Sequence, residues 1–233
     1  MSSAASSRPK SVPRGRVDKR KAILDAAFTV FARRGYAQAC VQEIAEEAGV
    51  AKPTVYSHLS DKETLFRHAV EAALDALLEE KLTVIGRLRA RAPDEDPHAA
   101  LTDLAHGLAR ICCGEPARAL RRLTYAQAAQ FPDLAETTQE RTVHRPRAAL
   151  ADRLARLSLA GALRPCDPEQ AAEHFFALLT GPLESRSLLG TRRVPAAELR
   201  GTAEAAVDTF LRAYAGDRQL SQTTAEGDRP DGS

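Results

Sequence analysis

Residues 41–66 constrain the fold of this chain more than any other stretch, because two short amphipathic segments meet there at a glycine. The first segment repeats apolar residues at the i, i+3, i+4 and i+7 spacing of one buried helical face. These residues are Val41, Ile44, Ala45 and Ala48. Gly49 follows, where a helix end favours a residue that adopts positive φ, and Val50 supplies the apolar contact that often accompanies such an end. The pattern predicts a short helix that stops at a tight turn.

The second segment predicts a helix with one apolar and one polar side. Pro53 falls in its first turn, where the missing N–H costs little. Val55 and Leu59 repeat at i, i+4 and are predicted to face inward. The outer side then consists of Lys52, Thr54, Ser57 and His58. Two helices joined by a glycine turn, with a polar face on the second, indicate a helix-turn-helix of the kind that enters a DNA major groove.

The flanking residues decide between this interpretation and a plain packing hairpin. Residues 19–34 predict a helix with a single apolar stripe, which Gly35 ends. Ser60 and Glu63 have the spacing of a capping box, so Ser60 is predicted to cap a long helix over residues 61–89. A helix on each side completes a three-helix unit that feeds a fourth helix, which favours DNA binding.

The run AILDAAFTVFARRGYAQACVQEIAEEAGVAKPTVYSHLSDKETLFRHAV resembles the N-terminal domain of the TetR (tetracycline-repressor) family of bacterial transcription regulators. The resemblance covers residues 17–77 and implies an all-α fold, in which a three-helix helix-turn-helix domain precedes a helical bundle for ligand binding and dimerisation. It implies a double-stranded DNA operator as partner and a helix-turn-helix at about residues 40–59. It also implies that the DNA contacts come from Lys52, Thr54, Tyr56, Ser57, His58 and Lys62. A core aromatic is the alternative role for Tyr56.

The chain departs from the family pattern at two helix starts. Ala39 and Cys40 stand where the family carries Thr followed by Ser or Thr, and Ala51 stands where Ser is usual. None of the three is a good N-cap, and a lost cap costs about 1 kcal/mol. We expect weaker starts for both short helices but an unchanged fold.

Charge is distributed unevenly along the chain. The net charge of all 233 residues is +2, whereas residues 1–60 hold ten Lys or Arg against five acids. A basic end on a near-neutral protein is typical of nucleic-acid binding, although a solvated tail is the alternative for residues 8–16. Neither an apolar run long enough to span a membrane nor a signal-peptide core is present, and the four cysteines have no metal or disulfide spacing. These features predict a soluble cytoplasmic protein.

The whole chain divides into four predicted segments. Residues 1–15 are a disordered basic arm, 17–77 the DNA-binding domain, 78–215 the ligand-binding and dimerisation domain, and 216–233 a disordered tail. Helical periods alone occur between arm and tail, with a helix over residues 132–160 that Pro146 should kink or divide.

The last two predicted helices, residues 168–189 and 196–214, suggest a homodimer. The first of them is apolar on more than one side and therefore needs two partners, although a buried central helix in a monomer is the alternative. In the family that the chain resembles, this pair forms a four-helix bundle with its twin. Leu179 and Val207 are expected mid-interface, so that a charge at either one would separate the subunits.

An unknown small-molecule effector is expected among the helices of the second domain. The candidate pocket residues are polar or aromatic on predicted inward faces, and core packing is the alternative for each. They are His106, Tyr125, Gln127, Gln130, His144 and Phe175. Cys112 and Cys113 point about 100° apart on a helix, so they are predicted as buried small apolar residues that do not share a site.

No catalytic, cofactor or metal site is predicted from the sequence. A glycine-rich phosphate loop, a nucleophile elbow and a paired-histidine spacing are all missing. An all-helical adaptor protein and, further behind, a small-molecule enzyme that uses the C-terminal pocket remain as alternatives to a DNA-binding transcription regulator of the repressor type.

Overall fold

The computed structural model describes residues 14–88 and 97–216, without the side chains of residues 14–17 and 58. It is all-α, as predicted: the described residues contain no β-strand, only an isolated bridge between Leu163 and Ala215. The helices form two compact units that divide between Ala72 and Ala73. Most of the predicted arm and the tail from residue 217 lie outside the described residues, and the first helix begins at Arg14.

From residue 14 onward, the first unit contains three helices and the start of a fourth. They are α1 (Arg14–Gln38), α2 (Val41–Glu47), α3 (Lys52–His58) and α4 (Lys62–Arg87). Gly35, with φ of 76° and ψ of 163°, interrupts α1 where the sequence predicted its end. An aromatic cluster fills the core of this unit: the Phe31 and Phe66 rings meet edge to face with centroids 5.0 Å apart, and Tyr36 lies 4.9 Å from Phe66.

The turn between α2 and α3 is a Schellman motif. Gly49 has φ of 64°, its N–H donates to the Glu46 carbonyl at 3.1 Å, and the Val50 N–H donates to the Ala45 carbonyl at 3.0 Å. Two otherwise unpaired carbonyls at the end of α2 are thereby satisfied. The predicted glycine turn is confirmed.

The capping residues of two helices, α2 and α4, differ from the prediction. Cys40 does cap α2, because its Sγ accepts the Glu43 N–H at 3.4 Å. At the start of α4 the cap is Asp61 rather than Ser60, since the helix begins one residue later than the capping box requires. The Asp61 carboxylate accepts the Thr64 N–H at 2.7 Å and the Ser60 hydroxyl at 2.9 Å. These bonds to the charged form, the Thr64 N–H first, lower the pKa of Asp61.

Within the described residues, the second unit contains the rest of α4 and six further α-helices. They are α5 (Pro97–Cys113), α6 (Glu115–Gln127), α7 (Pro132–Gln139), α8 (Arg145–Leu159), α9 (Pro168–Ser187) and α10 (Ala196–Tyr214). A π-helix, Glu140–His144, joins α7 to α8, and Pro146 lies in the first turn of α8. The predicted division of this long helix is confirmed.

Apolar faces of α5, α8, α9 and α10 form the core of the second unit. Phe175 and Phe210 meet edge to face with ring centroids 5.3 Å apart, and both are fully buried. Leu179 and Val207 are also fully buried within this single chain. They belong to the core, so the expectation that a charge at either residue would only separate subunits is wrong. A charged side chain at either position would be buried among apolar residues, which is costly.

Two leucine-to-glutamate substitutions, one on α9 and one in the turn after it, test which of the two leucines belongs to the core. Leu179→Glu should abolish the cooperative unfolding transition of the second unit, because it buries a carboxylate in an apolar core. Leu189→Glu should leave the melting temperature within a few degrees of wild type, because Leu189 is 65% exposed. Circular dichroism melting of both variants makes the comparison. A Leu179→Glu protein that melts like wild type would contradict the placement of α9 in the core.

Candidate nucleic-acid interface and cavity of the second unit

The outward face of α3 carries the predicted DNA-contacting residues. Lys52 and Ser57 are exposed and Thr54 is half-buried, whereas Val55 and Leu59, at 1% and 4% exposure, anchor the opposite face in the core. Lys52 forms no ion pair with a described residue. The structure therefore leaves a cation and two hydroxyl side chains at least partly accessible on the predicted recognition helix.

Tyr56, Ser57 and His58 are the other predicted contacts on α3. Tyr56 is 45% exposed, which rules out the alternative of a core aromatic. The Ser57 hydroxyl donates to the Thr54 carbonyl at 2.8 Å, so it is partly engaged within α3. His58 is the last residue of α3, and its side chain is outside the described part of the chain.

Lys62, in the first turn of α4, contacts two residues near the end of α1. Its Nζ donates to the Ala37 carbonyl at 2.9 Å and lies 5.0 Å from the centre of the Tyr36 ring. An ammonium group has three donors, so a phosphate contact remains open to it. Sequence reasoning missed Tyr36, which lies 26 residues earlier in the chain.

The acidic side chains of α2 are occupied by arginines of α1. Arg33 binds Glu43 at 2.8 Å and Glu47 at 3.4 Å, and Arg34 binds Glu43 at 3.1 Å. The hydrogen bond from Arg33 lowers the pKa of Glu43. These exposed pairs contribute little to stability. They do neutralise carboxylates on the helix that precedes α3, which favours the approach of an anionic partner.

A cavity of about 510 Å³ lies in the second unit, within the size range of pockets for drug-sized ligands. Its wall combines apolar side chains with several charged and hydroxyl groups from α4 to α9. The charged and hydroxyl groups include Lys81, Arg121, Thr124, Tyr125, Thr138, Thr142, Arg147, Glu173, Thr180 and Glu184. The apolar part includes Leu77, Leu120, Val143, Phe176 and Leu183.

Of the six predicted pocket residues, only Tyr125 is part of the described wall. Phe175 lies in the core, and its neighbour Phe176 lines the cavity instead, because adjacent helical positions point about 100° apart. His106 has its Nε2 4.0 Å from Glu204 on α10, away from the cavity wall. Gln127, Gln130 and His144 are also not part of the wall, and Gln130 and His144 are exposed.

Cys112 and Cys113 both line the cavity, so the prediction that they do not share a site is wrong. The wall wraps the end of α5 widely enough to include two adjacent positions. Burial raises the pKa of the Cys113 thiol to about 11. At neutral pH it is therefore protonated and a poor nucleophile, in keeping with the apolar role that was predicted.

Sequence reasoning missed most of the wall, and Lys81 is its most buried charged residue. It lies on α4 with 6% exposure, and its Nζ donates to the Thr142 carbonyl of the π-helix at 2.9 Å. The sequence did hold a signal, because Lys81 is four residues after Leu77 and four before Ile85. A lysine on that stripe is inside the apolar face rather than beside it.

Comparison with known families identifies the chain. The model described as the C-terminal domain of AefR-like transcriptional repressors matches residues 99–216, more than half of the chain. The model described as bacterial regulatory proteins of the tetR family matches residues 23–69, which hold the helix-turn-helix. The chain belongs to the TetR family. The predicted resemblance and the predicted fold are confirmed, and TetR-family members are DNA-binding regulators of transcription.

Individual TetR-family proteins match over most of the chain. A crystal structure of a TetR-family regulator from Mesorhizobium loti is 32% identical with a TM-score of 0.78, over 86% of this chain and 98% of that one. The flavonoid-responsive regulator FrrA is 26% identical with a TM-score of 0.64, over 85% of this chain and 98% of that one. The transcriptional regulator TtgR of Pseudomonas putida is 28% identical over 83% of this chain and 90% of that protein.

Other curated relatives match over a shorter range. The first of them align with 25–27% of this chain, and the alignments span 29% of their own length. None of the helices in the described part of this TetR-family chain is long and apolar enough to cross a membrane.

Two substitutions on α3 separate positioning contacts from base recognition. Lys52→Ala should weaken binding to all DNA sequences about equally, because a phosphate contact carries no base information. If two subunits each lose one phosphate contact, the magnitude of the negative slope of log K against log salt should fall by about 1.8. Thr54→Ala should instead change base preference at a symmetric pair of positions, by about 1–3 kcal/mol per contacted base.

Fluorescence anisotropy at several salt concentrations, with matched and mismatched duplexes, measures both effects. Lys52 is preferred to Lys62 for this purpose because Lys62→Ala also removes the hydrogen bond to Ala37. A reversed result, with Lys52→Ala changing base preference and Thr54→Ala changing only the salt slope, would contradict this assignment of the face.

Proposed function

We propose that this chain is a cytoplasmic, homodimeric repressor that binds a palindromic DNA operator and responds to a small organic effector. The observation that carries the proposal is the exposed polar face of α3 on a helix-turn-helix whose α2–α3 turn is closed by Gly49. In a dimer of this kind the two recognition helices enter successive major grooves about 34–36 Å apart. The match to AefR-like repressors supports repression.

Roles in DNA binding follow from exposure and chemistry. Lys52, Tyr56, His58 and Lys62 are assigned to phosphate contacts, and Ser57 supplies a further hydroxyl at the same face. Thr54, half-buried at the centre of α3, is assigned to a base edge.

Stripes of small, exposed residues support dimerisation through α9 and α10. On α10 they recur every four residues at Ala197, Gly201, Ala205, Thr209 and Ala213. On α9 they recur at Ala177, Gly181 and Ser185. A side chain added at Gly181 or Gly201 would meet nothing within 4 Å in this chain. Small residues that the core does not require allow the backbones of partner helices to approach closely, as in a four-helix bundle.

The cavity supports the response to an effector. Leu77 and Lys81 place α4 in its wall, and the same helix begins in the first unit beside the DNA-facing surface. An effector that binds one conformation of α4 more tightly shifts the protein toward that conformation, and affinity for DNA changes by the corresponding coupling free energy. The similar regulator FrrA is flavonoid-responsive, which supports an organic molecule as effector here.

Selection of bound fragments from the genomic DNA of the source organism tests the proposed function directly. The purified full-length protein should enrich fragments that share a palindrome with half-sites about one helical turn apart. Absence of any DNA affinity at low salt would overturn the proposal and favour an adaptor role.

Substitution at the small-residue stripe tests the dimer. Gly201→Glu should give a monomer in sedimentation velocity and lose tight binding to the selected operator, because the bulky charge prevents close approach of α10. Gly86→Glu, on α4, is the matched control: it too lies on a helix with nothing within 4 Å of the added side chain. Both changes replace a glycine inside a helix, and glycine is about 1 kcal/mol less favourable there than a good helix former. Each variant should therefore still fold. A Gly201→Glu protein that sediments as a dimer would exclude this interface.

A further inference from the structure

Two cations on the cavity wall have no carboxylate partner among the described residues. Lys81 makes one hydrogen bond, to the Thr142 carbonyl, and no ion pair. Arg121 donates to the Ser187 hydroxyl at 3.3 Å and to the Cys112 carbonyl at 3.4 Å, both neutral groups. By contrast, Arg147 on the same wall is paired with Glu173 at 3.2 Å. Glu184, the other carboxylate of this wall, forms no ion pair with a described residue, so the three cations and two carboxylates of the wall leave one net positive charge.

Burial makes the uncompensated charge of Lys81 informative. The side chain is 6% exposed, and a buried ammonium without a counter-charge is costly unless its donors are satisfied. One of its three donors serves Thr142, which leaves two for the contents of the cavity. Glu184 is a wall carboxylate, but it is exposed and does not pair with Lys81. An anionic group inside the cavity would supply the missing partner.

The remainder of the wall specifies the rest of such a ligand. Leu77, Leu120, Phe176 and Leu183 present apolar surface to the same space. A fully charged, highly hydrated ion would leave this surface exposed to water, whereas a molecule with an apolar body covers it. The volume of about 510 Å³ also exceeds the needs of a small inorganic anion.

We propose that the effector is an amphipathic organic acid whose carboxylate binds Lys81, with Arg121 as second cation, and whose apolar body lies against the leucine and phenylalanine surface. This inference rests on the effector response proposed above and names its chemical class. It also names the contact through which the effector would act on α4. The carboxylate binds the same ammonium that joins α4 to the π-helix through Thr142, so occupancy acts directly on that link.

Ligands of matched shape and different charge test the proposal on the full-length protein. Isothermal titration calorimetry is carried out with decanoate, decanol and decylamine, each below its solubility limit and the two ionic ligands below their micelle concentrations, and with 2-naphthoate, 2-naphthamide and 2-naphthylmethylamine. In at least one series, the acid should bind ten or more times tighter than the neutral analogue, and the amine should bind weakest. Equal affinities, a preference for the amine, or no binding of either acid would overturn the proposal.

Variants on α4 assign the charge preference to Lys81. Lys81→Met keeps an apolar stem of similar length, so it should weaken acid binding at least tenfold and leave the neutral analogue unchanged. Lys81→Arg should keep the preference for the acid. Glu80→Gln is the control, since it changes an exposed charge one residue away and should affect neither ligand. Equal weakening of acid and neutral analogue by Lys81→Met would mean that Lys81 only supports the wall, which overturns the proposal.

Operator binding by the same preparation separates this inference from the proposed function. A protein that binds its operator but no acid retains the proposed function and loses the inference. A protein without DNA affinity loses the proposed function, and the charge series on the cavity still decides the ligand class. If Lys81→Met does not fold, the charge series with wild type and Lys81→Arg decides the inference by itself.

Discussion

One helix, α4, supplies buried side chains to both units, and neither core is complete without it. Phe66 and Val70, in its first half, are fully buried in the first unit, and Ile85, near its end, belongs to the main core of the second. Truncation of such a residue to alanine costs about 2–5 kcal/mol. The apolar stripe therefore has to continue over 26 residues, and Lys81 is its buried interruption. Lys81 is accommodated there by its hydrogen bond to the Thr142 carbonyl.

The turn between α9 and α10 shows how the second unit maintains an unfavourable backbone. Leu188, Leu189 and Gly190 have φ values of 48°, 57° and 88°, and left-handed conformations in non-glycine residues cost about 1–3 kcal/mol each. The buried side chain of Arg118 compensates by donating to the carbonyls of Gly190 at 2.9 Å and Thr191 at 3.2 Å. Because Arg118 is on α6, next to the wall residue Arg121, this turn is fixed to the helix that borders the cavity.

Periodicity predicted what depends on local chain physics. The bounds of α10, the glycine turn after α2 and the division before Pro146 follow from apolar spacing and from the backbone preferences of Gly and Pro. The misses have other causes. Asp61 and Ser60 are both competent caps, and a shift of one residue in the helix start decides between them. The partners of Lys62 and Lys81 lie 25 and 61 residues away in the chain, where no local pattern extends. Membership of the cavity wall depends on helix rotation, which separated Phe176 from Phe175.

The π-helix between α7 and α8 determines how α8 is rotated about its own axis relative to α7. One residue more per turn than an α-helix offsets the downstream helix by about 100° around its axis. Ala135 and Thr138 of α7 line the cavity, while Leu150 and Leu154 of α8 are fully buried in the core. Loss of a single residue within 140–144 would restore a regular helix and turn the two leucines out of that core. The number of residues in this segment therefore determines which face of α8 is buried, and it matters more than which amino acids they are.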